Sequence, residues 1–235
     1  MYEAVTAAPE GDSTVSRFAH TACEYGFDGI VVRNWVDARP PVDVERIRER
    51  YDVDVVAGIE VRTDDPGRAS REIRSARERT PLLLVRGGNP VMNRFAVEEE
   101  RVDVLTSPMS GDGDFDHVLA REAVRNGVRV EFDFTSVLRS EGGARVVALS
   151  RIRKLRELIG AYDVPYVVSG APTSHLQVRS PRELIAVGER IGFTRMQVES
   201  GLSEWYRLAT RNRERRSEAF IEPGVERGRY ERTDG

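Results

Sequence analysis

Lysine is almost absent from this chain: Lys154 is the one example among 36 basic residues, and arginine supplies the other 35. GC-rich coding or a salt-loving host would produce such a bias. It also suits phosphate recognition, because a guanidinium fork donates to two phosphate oxygens at once whereas an ammonium is a point charge. Cysteine is as scarce. Cys23, standing alone, excludes an internal disulfide and a cysteine-rich zinc cluster, and its place in a helical segment predicts a small buried side chain. The three histidines, His20, His117 and His175, are scattered, and the first two fall inside helical segments, which argues against a histidine-rich metal centre. No apolar run approaches the roughly 18 residues of a membrane span. The start, MYEAVTAAPEGD, has neither the basic residues nor the apolar stretch of a secretory signal. The expected setting is the cytoplasm, with no membrane partner.

What is present is enough for a full core. Of 235 residues, 40% are hydrophobic and 32% charged, which places the chain among globular proteins. The net charge of −3 hides an uneven spread. Residues 150–216 carry thirteen basic and seven acidic side chains, residues 1–149 twenty and twenty-seven, and residues 217–235 three and five. A basic third on an acidic body is the charge pattern of a protein that offers one face to a polyanion, although charged helix surfaces alone give the same count.

The hydrophobic pattern alternates between short β-branched runs and helical periods. Strands are expected at Tyr2–Val5, Asp28–Arg33, Val53–Val61, Leu82–Val85, Val102–Leu105, Val128–Phe134 and Tyr166–Ser169, with a last short one at Thr194–Val198. Helices are expected at Ser13–Tyr25, Val42–Tyr51, Pro66–Arg79, Pro90–Glu99, Phe115–Arg125, Ala144–Tyr162, Pro181–Ile191 and Leu202–Arg215. Asp12 or Ser13 is the expected cap of the first helix, and Val147 through Tyr162 form the apolar stripe of the longest. Seven or eight strand–helix units in about 215 residues favour a compact, irregular TIM-barrel-like (β/α) barrel over an open doubly wound sheet. One domain is expected over residues 1–216, followed by a flexible tail over 217–235.

In such a barrel the segments after the strands meet on one rim. Here they bring Arg33, Asn34 and Trp35; Glu60 and Arg62; Arg86, Gly87, Gly88 and Asn89, with Asn93 and Arg94 a turn later; and His175, Arg179 and Arg182. Asp37 and Asp133 also lie near strand ends, but no acid–base pair or nucleophile motif stands out. Arg86-Gly87-Gly88-Asn89-Pro90 lies between a strand and a helix and reads either as a backbone phosphate cradle or as a sharp turn; it lacks nucleotide-motif spacing. A rim of arginine and asparagine is better suited to binding phosphates or a protein than to bond-making chemistry.

Several ordered segments resemble one family. They are GFDGIVVRN (26–34), GIEVR (58–62), VRGGNPVMNRFAVEEERVDVL (85–105), FDHVLAREAVRNGVRVEF (115–132) and the SGAPTSHLQVRSPREL core within residues 164–193. The resemblance is to protein component 3 of archaeal ribonuclease P and its eukaryotic counterpart. It implies a TIM-barrel-like fold similar to a class of metal-dependent phosphoesterases, without their metal centre. That class opens with His-x-His on its first strand, and this chain has Glu3-Ala4-Val5-Thr6 there. It further implies a non-catalytic subunit of the enzyme that removes the 5′ leader from precursor tRNA. The chemistry would belong to an RNA subunit using Mg²⁺, with no cofactor bound by this chain. Its partners would be the ribonuclease P RNA, protein component 2 in a dimer of heterodimers, and precursor tRNA indirectly. Arg33, Asn34, Arg62, Arg86, Asn89, Arg94, His175, Arg179 and Arg182 are the candidate RNA contacts, and no residue is assigned to catalysis or metal binding. The alternatives are a stand-alone metal-dependent phosphoesterase of similar fold and a protein scaffold that never touches RNA.

Overall fold

The computed structural model describes residues 1–40, 42–216, 220–222 and 225–226. Seven strands form one parallel sheet in chain order: β1 (Tyr2–Val5), β2 (Gly29–Trp35), β3 (Asp54–Val61), β4 (Leu82–Arg86), β5 (Val104–Thr106), β6 (Arg129–Asp133) and β7 (Tyr166–Ser169). Between them run α1 (Val15–Glu24), α2 (Val44–Tyr51), α3 (Pro66–Arg77), α4 (Pro90–Glu98), α5 (His117–Asn126), the one-turn α6 (Thr135–Arg139) and the long α7 (Gly142–Tyr162). A short 3₁₀ turn (His175–Gln177), α8 (Pro181–Ile191) and α9 (Arg195–Arg215) complete the body. Sequential parallel strands joined by helical crossovers curl into a nearly closed, TIM-barrel-like shell, as the strand–helix rhythm predicts.

Strand alternation divides the side chains. Ile30, Val32, Val55, Leu83, Val85, Val130 and Val168 face outward under the helices and are buried there. Tyr2, Val31, Val56, Leu84, Val104 and Val167 face inward and pack on Trp205, Leu208 and Ala209 of α9. That helix crosses the N-terminal end of the barrel and plugs it. Its polar residues hold it to groups at the strand starts. Arg213 donates to Asp54 at 2.7 and 3.0 Å, Asn212 donates to Asp103 at 2.7 Å and to the Pro81 carbonyl at 2.8 Å, and Glu204 accepts from Arg129 at 2.8 and 3.0 Å. Arg213, Tyr2 and Arg48 bonds to Asp54 outweigh its partial burial and hold its carboxyl below the ordinary range. Two arginines of the basic stretch 150–216, Arg211 and Arg213, are therefore spent under the barrel, on Asp103 and Asp54.

The seam between β1 and β7 is bridged by backbone bonds, Thr6 N–H to the Pro172 carbonyl at 3.0 Å and Asp12 N–H to the Thr173 carbonyl at 2.7 Å, and by side chains. The Trp205 indole donates to the Val168 carbonyl at 2.9 Å. Glu3 accepts the N–H groups of Gly170 and Ala171 at 3.0 and 3.3 Å. Gly201 lets α9 press on the seam, since a Cβ there would meet Val168 at 2.5 Å. Glu3 is fully buried, and burial, exceeding the pull of these N–H groups and of Arg33, pushes its carboxyl up to about 8.

Several expectations are corrected. Thr194–Val198 is no strand: Thr194 and Gln197 form a capping box, each side chain accepting the other's backbone N–H, and α9 starts there. α1 is capped by Thr14, not Asp12 or Ser13, because Ser13 is engaged with His175. Cys23 is exposed. Val147 is exposed, and the buried stripe of α7 begins at Ile152. The tail expected over 217–235 lies outside the described residues, save for the short strands β8 (Phe220–Glu222) and β9 (Val225–Glu226), which pair antiparallel.

Candidate functional site

The C-terminal mouth of the barrel holds a buried ionic network. In β2, Arg33 follows the inward register of Gly29 and Val31; in β6, Glu131 lies between Arg129 and Asp133 on the same inward face. Arg33 Nη1 donates to both Glu131 oxygens, at 2.6 and 2.7 Å, with the two side chains 7% and 0% exposed. Ser169 at the end of β7 donates to Glu131 Oε1 at 2.5 Å. Beside this pair, Glu60 of β3 accepts from Thr106 at 2.5 Å and from Arg62 Nε at 2.5 Å, and Arg62 also bonds Glu10. Burial drives the Glu131 carboxyl up; Arg33 pulls it down, and Asp133 adds to the rise. Burial also acts on Glu60, but Arg33 and Arg62 hold it below the ordinary carboxylate range.

This network relocates three candidates. Arg33 and Asn34 are buried, so neither reaches a ligand outside the barrel. Arg33 is taken by Glu131, and Asn34 clamps the β1 loop, accepting the Ala7 N–H at 3.0 Å and donating to the Ala7 carbonyl at 2.6 Å. Arg62 is largely spent on Glu60 and Glu10. The alternation of charge in Arg129-Val130-Glu131-Phe132-Asp133 is the sequence signal that puts Glu131 on the inner face of the barrel.

The remaining candidates lie on the rim. Arg86, Arg94, Arg179 and Arg182 are exposed. Arg94 pairs with Glu98 one turn on, at 2.8 Å. Asn89 is the N-cap of α4, accepting the Met92 N–H at 2.8 Å, and donates to Asp64 at 2.8 Å. His175 is fixed through Ser13, whose hydroxyl accepts the His175 N–H at 3.0 Å and faces Nδ1 at 2.8 Å. The loop after β4 is a turn and not a phosphate cradle. Gly87 N–H goes to the Thr106 carbonyl and Gly88 N–H to Asn93 Oδ1, so both donors are used. Gly88 has φ +104°, and a Cβ on Gly87 would fall 2.0 Å from Asn93 Oδ1. Asn93 in turn donates to the Pro108 and Asp114 carbonyls, both at 2.8 Å, and so locks the β4 and β5 loops together.

Fold and site define a class: a parallel β/α barrel whose mouth, the place where barrel enzymes do their chemistry, is filled by an arginine–carboxylate network. Comparison with known proteins agrees. The family model described as RNase P subunit p30 matches residues 1–218. Ribonuclease P protein component 3 of Halobacterium salinarum is 55% identical over 231 residues, covering 98% of this chain and 99% of the relative. That of Haloarcula marismortui is 56% identical over 225 residues, covering 96% of each. A chain in the cryo-EM structure of archaeal ribonuclease P with mature tRNA superposes with a TM-score of 0.84 at 24% identity, covering 98% of this chain and 99% of that one. Histidinol phosphate phosphatase from Lactococcus lactis, complexed with zinc, L-histidinol and phosphate, has a TM-score of 0.58 at 9% identity, covering 82% and 94%. The chain belongs to the RNase P subunit p30 family. It is a protein subunit of ribonuclease P, a hydrolytic endoribonuclease complex.

The phosphatase neighbour raises the question of a metal. The mouth does not fit one. Both Glu131 oxygens are on Arg33, Glu60 is on Arg62 and Thr106, and no histidine side chain joins them. Among the described residues no group of three or more His, Cys, Asp or Glu side chains is arranged to hold a metal ion. Nor is any helix among them long and apolar enough to cross a membrane.

Proposed function

We propose that this chain serves ribonuclease P as a non-catalytic support for its RNA, in the cytoplasm of a salt-loving archaeon. The RNA subunit removes the 5′ leader from precursor tRNA with Mg²⁺ bound outside this chain. Protein component 2 is its protein partner, in a dimer of heterodimers. The observation that carries this reading is the filled mouth: where a barrel hydrolase needs free carboxylates and histidines, Arg33 and Glu131 neutralise each other. The halophilic relatives support the choice of host, which also accounts for the scarcity of lysine.

The exposed arginines Arg86, Arg94, Arg179 and Arg182 then form the RNA-facing rim, with Asn89 and His175 between them. In molar salt the Debye length falls to about 3 Å, so long-range attraction is screened and short paired hydrogen bonds must hold the RNA. Arginine makes such pairs and lysine does not. The test is the affinity of ribonuclease P RNA for the chain across a salt series, with Arg→Lys and Arg→Ala at each position. Each Arg→Lys should weaken binding despite the retained charge, and each Arg→Ala should weaken it further and flatten the salt slope by roughly one phosphate. Wild-type affinity and slope in all four Arg→Ala variants would contradict the rim assignment.

A further inference from the structure

The one-turn helix α6, which the sequence pattern does not announce, delivers Arg139 to the mouth between β6 and β7. Its guanidinium is half-buried, and its hydrogen bonds go to neutral groups. Nη1 donates to Thr135 Oγ1 at 3.4 Å and to the Ala171 carbonyl at 3.3 Å, and Nη2 donates to the Gly170 carbonyl at 3.3 Å. These are long for bonds made by a charged donor, which ordinarily measure about 2.7–2.9 Å to a carboxylate. Arg33, Arg77, Arg129 and Arg213 do find carboxylates, at 2.6–2.8 Å. Arg139 makes no ion pair among the described residues. Asp133 and Glu3 lie within electrostatic reach, but Asp133 accepts the Thr135 N–H at 2.7 Å and Glu3 those of Gly170 and Ala171 at 3.0 and 3.3 Å.

The loop that meets Arg139 carries a second cation and a strained residue. Ala171, whose carbonyl Arg139 holds, has φ +42°, a left-handed conformation that alanine rarely adopts and that loops tend to keep where a site requires it. The same loop ends at Arg179, which is exposed, is near enough to Arg139 to disfavour its charge, and among the described residues bonds only the Val178 carbonyl, at 3.2 Å. Two guanidinium groups thus share one end of the barrel, and among the described residues neither bonds a carboxylate.

We propose that Arg139 and Arg179 form a two-pronged site for one backbone phosphate of RNA. This rests on the reading of the rim as the RNA face and adds to it a residue, Arg139, that is anchored and partly desolvated. Arg139 already has its guanidinium oriented by two loop carbonyls, so little side-chain freedom is lost when a phosphate arrives. Arg179 is the exposed prong.

The experiment measures affinity of the full chain for ribonuclease P RNA and, separately, for precursor tRNA across a salt series, using Arg139→Met, Arg139→Lys, Arg179→Met and the Arg139→Met/Arg179→Met double variant. Melting curves verify folding; Arg179 is exposed, so its variant keeps the test open if Arg139→Met is unstable. The expected result is about a tenfold loss for each single Met variant, with the salt slope reduced by about one counterion. Arg139→Lys should keep most of the slope and lose affinity. Because both prongs hold one phosphate, the double variant should lose less than the product of the two single losses. The RNA whose binding responds is the source of the phosphate. Wild-type affinity for both RNAs in Arg139→Met and Arg179→Met would overturn the site. If Arg86→Ala or Arg182→Ala still weakened binding, the RNA-facing rim would stand without it; if none did, the rim reading would fail as well. A loss of binding to protein component 2 with RNA affinity intact would also overturn it, by assigning the pair to a partner carboxylate.

Discussion

Replacing Arg33 with methionine removes the cation from the barrel mouth while nearly conserving volume. Glu131 then stays behind with no exposed surface, with Ser169 at 2.5 Å its remaining donor among the described residues, and Asp133 close enough to raise its pKa. Breaking a buried ion pair by removing one partner costs about 3–5 kcal/mol. For a domain of this size each kcal/mol lowers the melting midpoint by about 2–4 °C, so Arg33→Met should melt roughly 6–20 °C below the parent. The stranded carboxyl takes up a proton more readily than before, so the variant should lose further stability as pH rises. Adding Glu131→Gln removes the second charge and keeps an acceptor for Ser169. The double variant should recover most of the loss, because paired neutral replacement of a buried ion pair is often close to neutral. Thermal unfolding at fixed salt, run as a double-mutant cycle, reads these terms. A single variant that melts with the parent but binds RNA more weakly would refute the argument, since Arg33 would then be an RNA contact and not a strut. A double variant no better than the single would refute the pairing.

Glu3 supplies a pH test. Its carboxyl is held up to about 8 against an ordinary value near 4.5, so the stability it brings is full below about 4.5 and is lost as pH rises through about 8. Between those values its contribution should fall by about 1.4 kcal/mol per pH unit, and Glu3→Gln should flatten that slope in melts taken from pH 5 to 9. Leu83→Ala empties a fully buried site on β4 and should cost about 2–5 kcal/mol by denaturant titration; an unchanged midpoint would undo the strand assignment. Trp205→Ala removes the plug of the barrel floor and leaves the Val168 carbonyl without its indole donor, for a loss of about 3–5 kcal/mol in the same assay.

The barrel was legible because hydrophobic periodicity reports strands and helices locally: Tyr2–Val5, Tyr166–Ser169 and Pro181–Ile191 have the expected bounds. The error at Thr194–Val198 was also local. T-R-M-Q carries a capping box, and the apolar residues Met196 and Val198 resemble a strand only when that signal is passed over. α6 escaped because five residues hold too little periodicity to register. The site was harder. Placement after a strand puts Arg33, Asn34 and Arg86 on one rim, but whether each points inward depends on register and on a partner far along the chain. Arg33 meets Glu131 98 residues away, while Arg86 meets no acid among the described residues and stays exposed. The local charge count was misleading for the same reason: Arg211 and Arg213 belong to the basic third, yet they pin α9 to Asp103 and Asp54 beneath the barrel.

We propose that this chain supports the RNA of ribonuclease P and does not itself cut. The most direct measurement is cleavage of precursor tRNA by the ribonuclease P RNA and protein component 2, with Mg²⁺, in the presence and absence of this chain. Adding the chain should raise the rate or lower the Mg²⁺ needed, while the chain alone should leave precursor tRNA intact. A cleavage rate indifferent to the chain at every Mg²⁺ concentration, or cleavage by the chain without RNA, would contradict it.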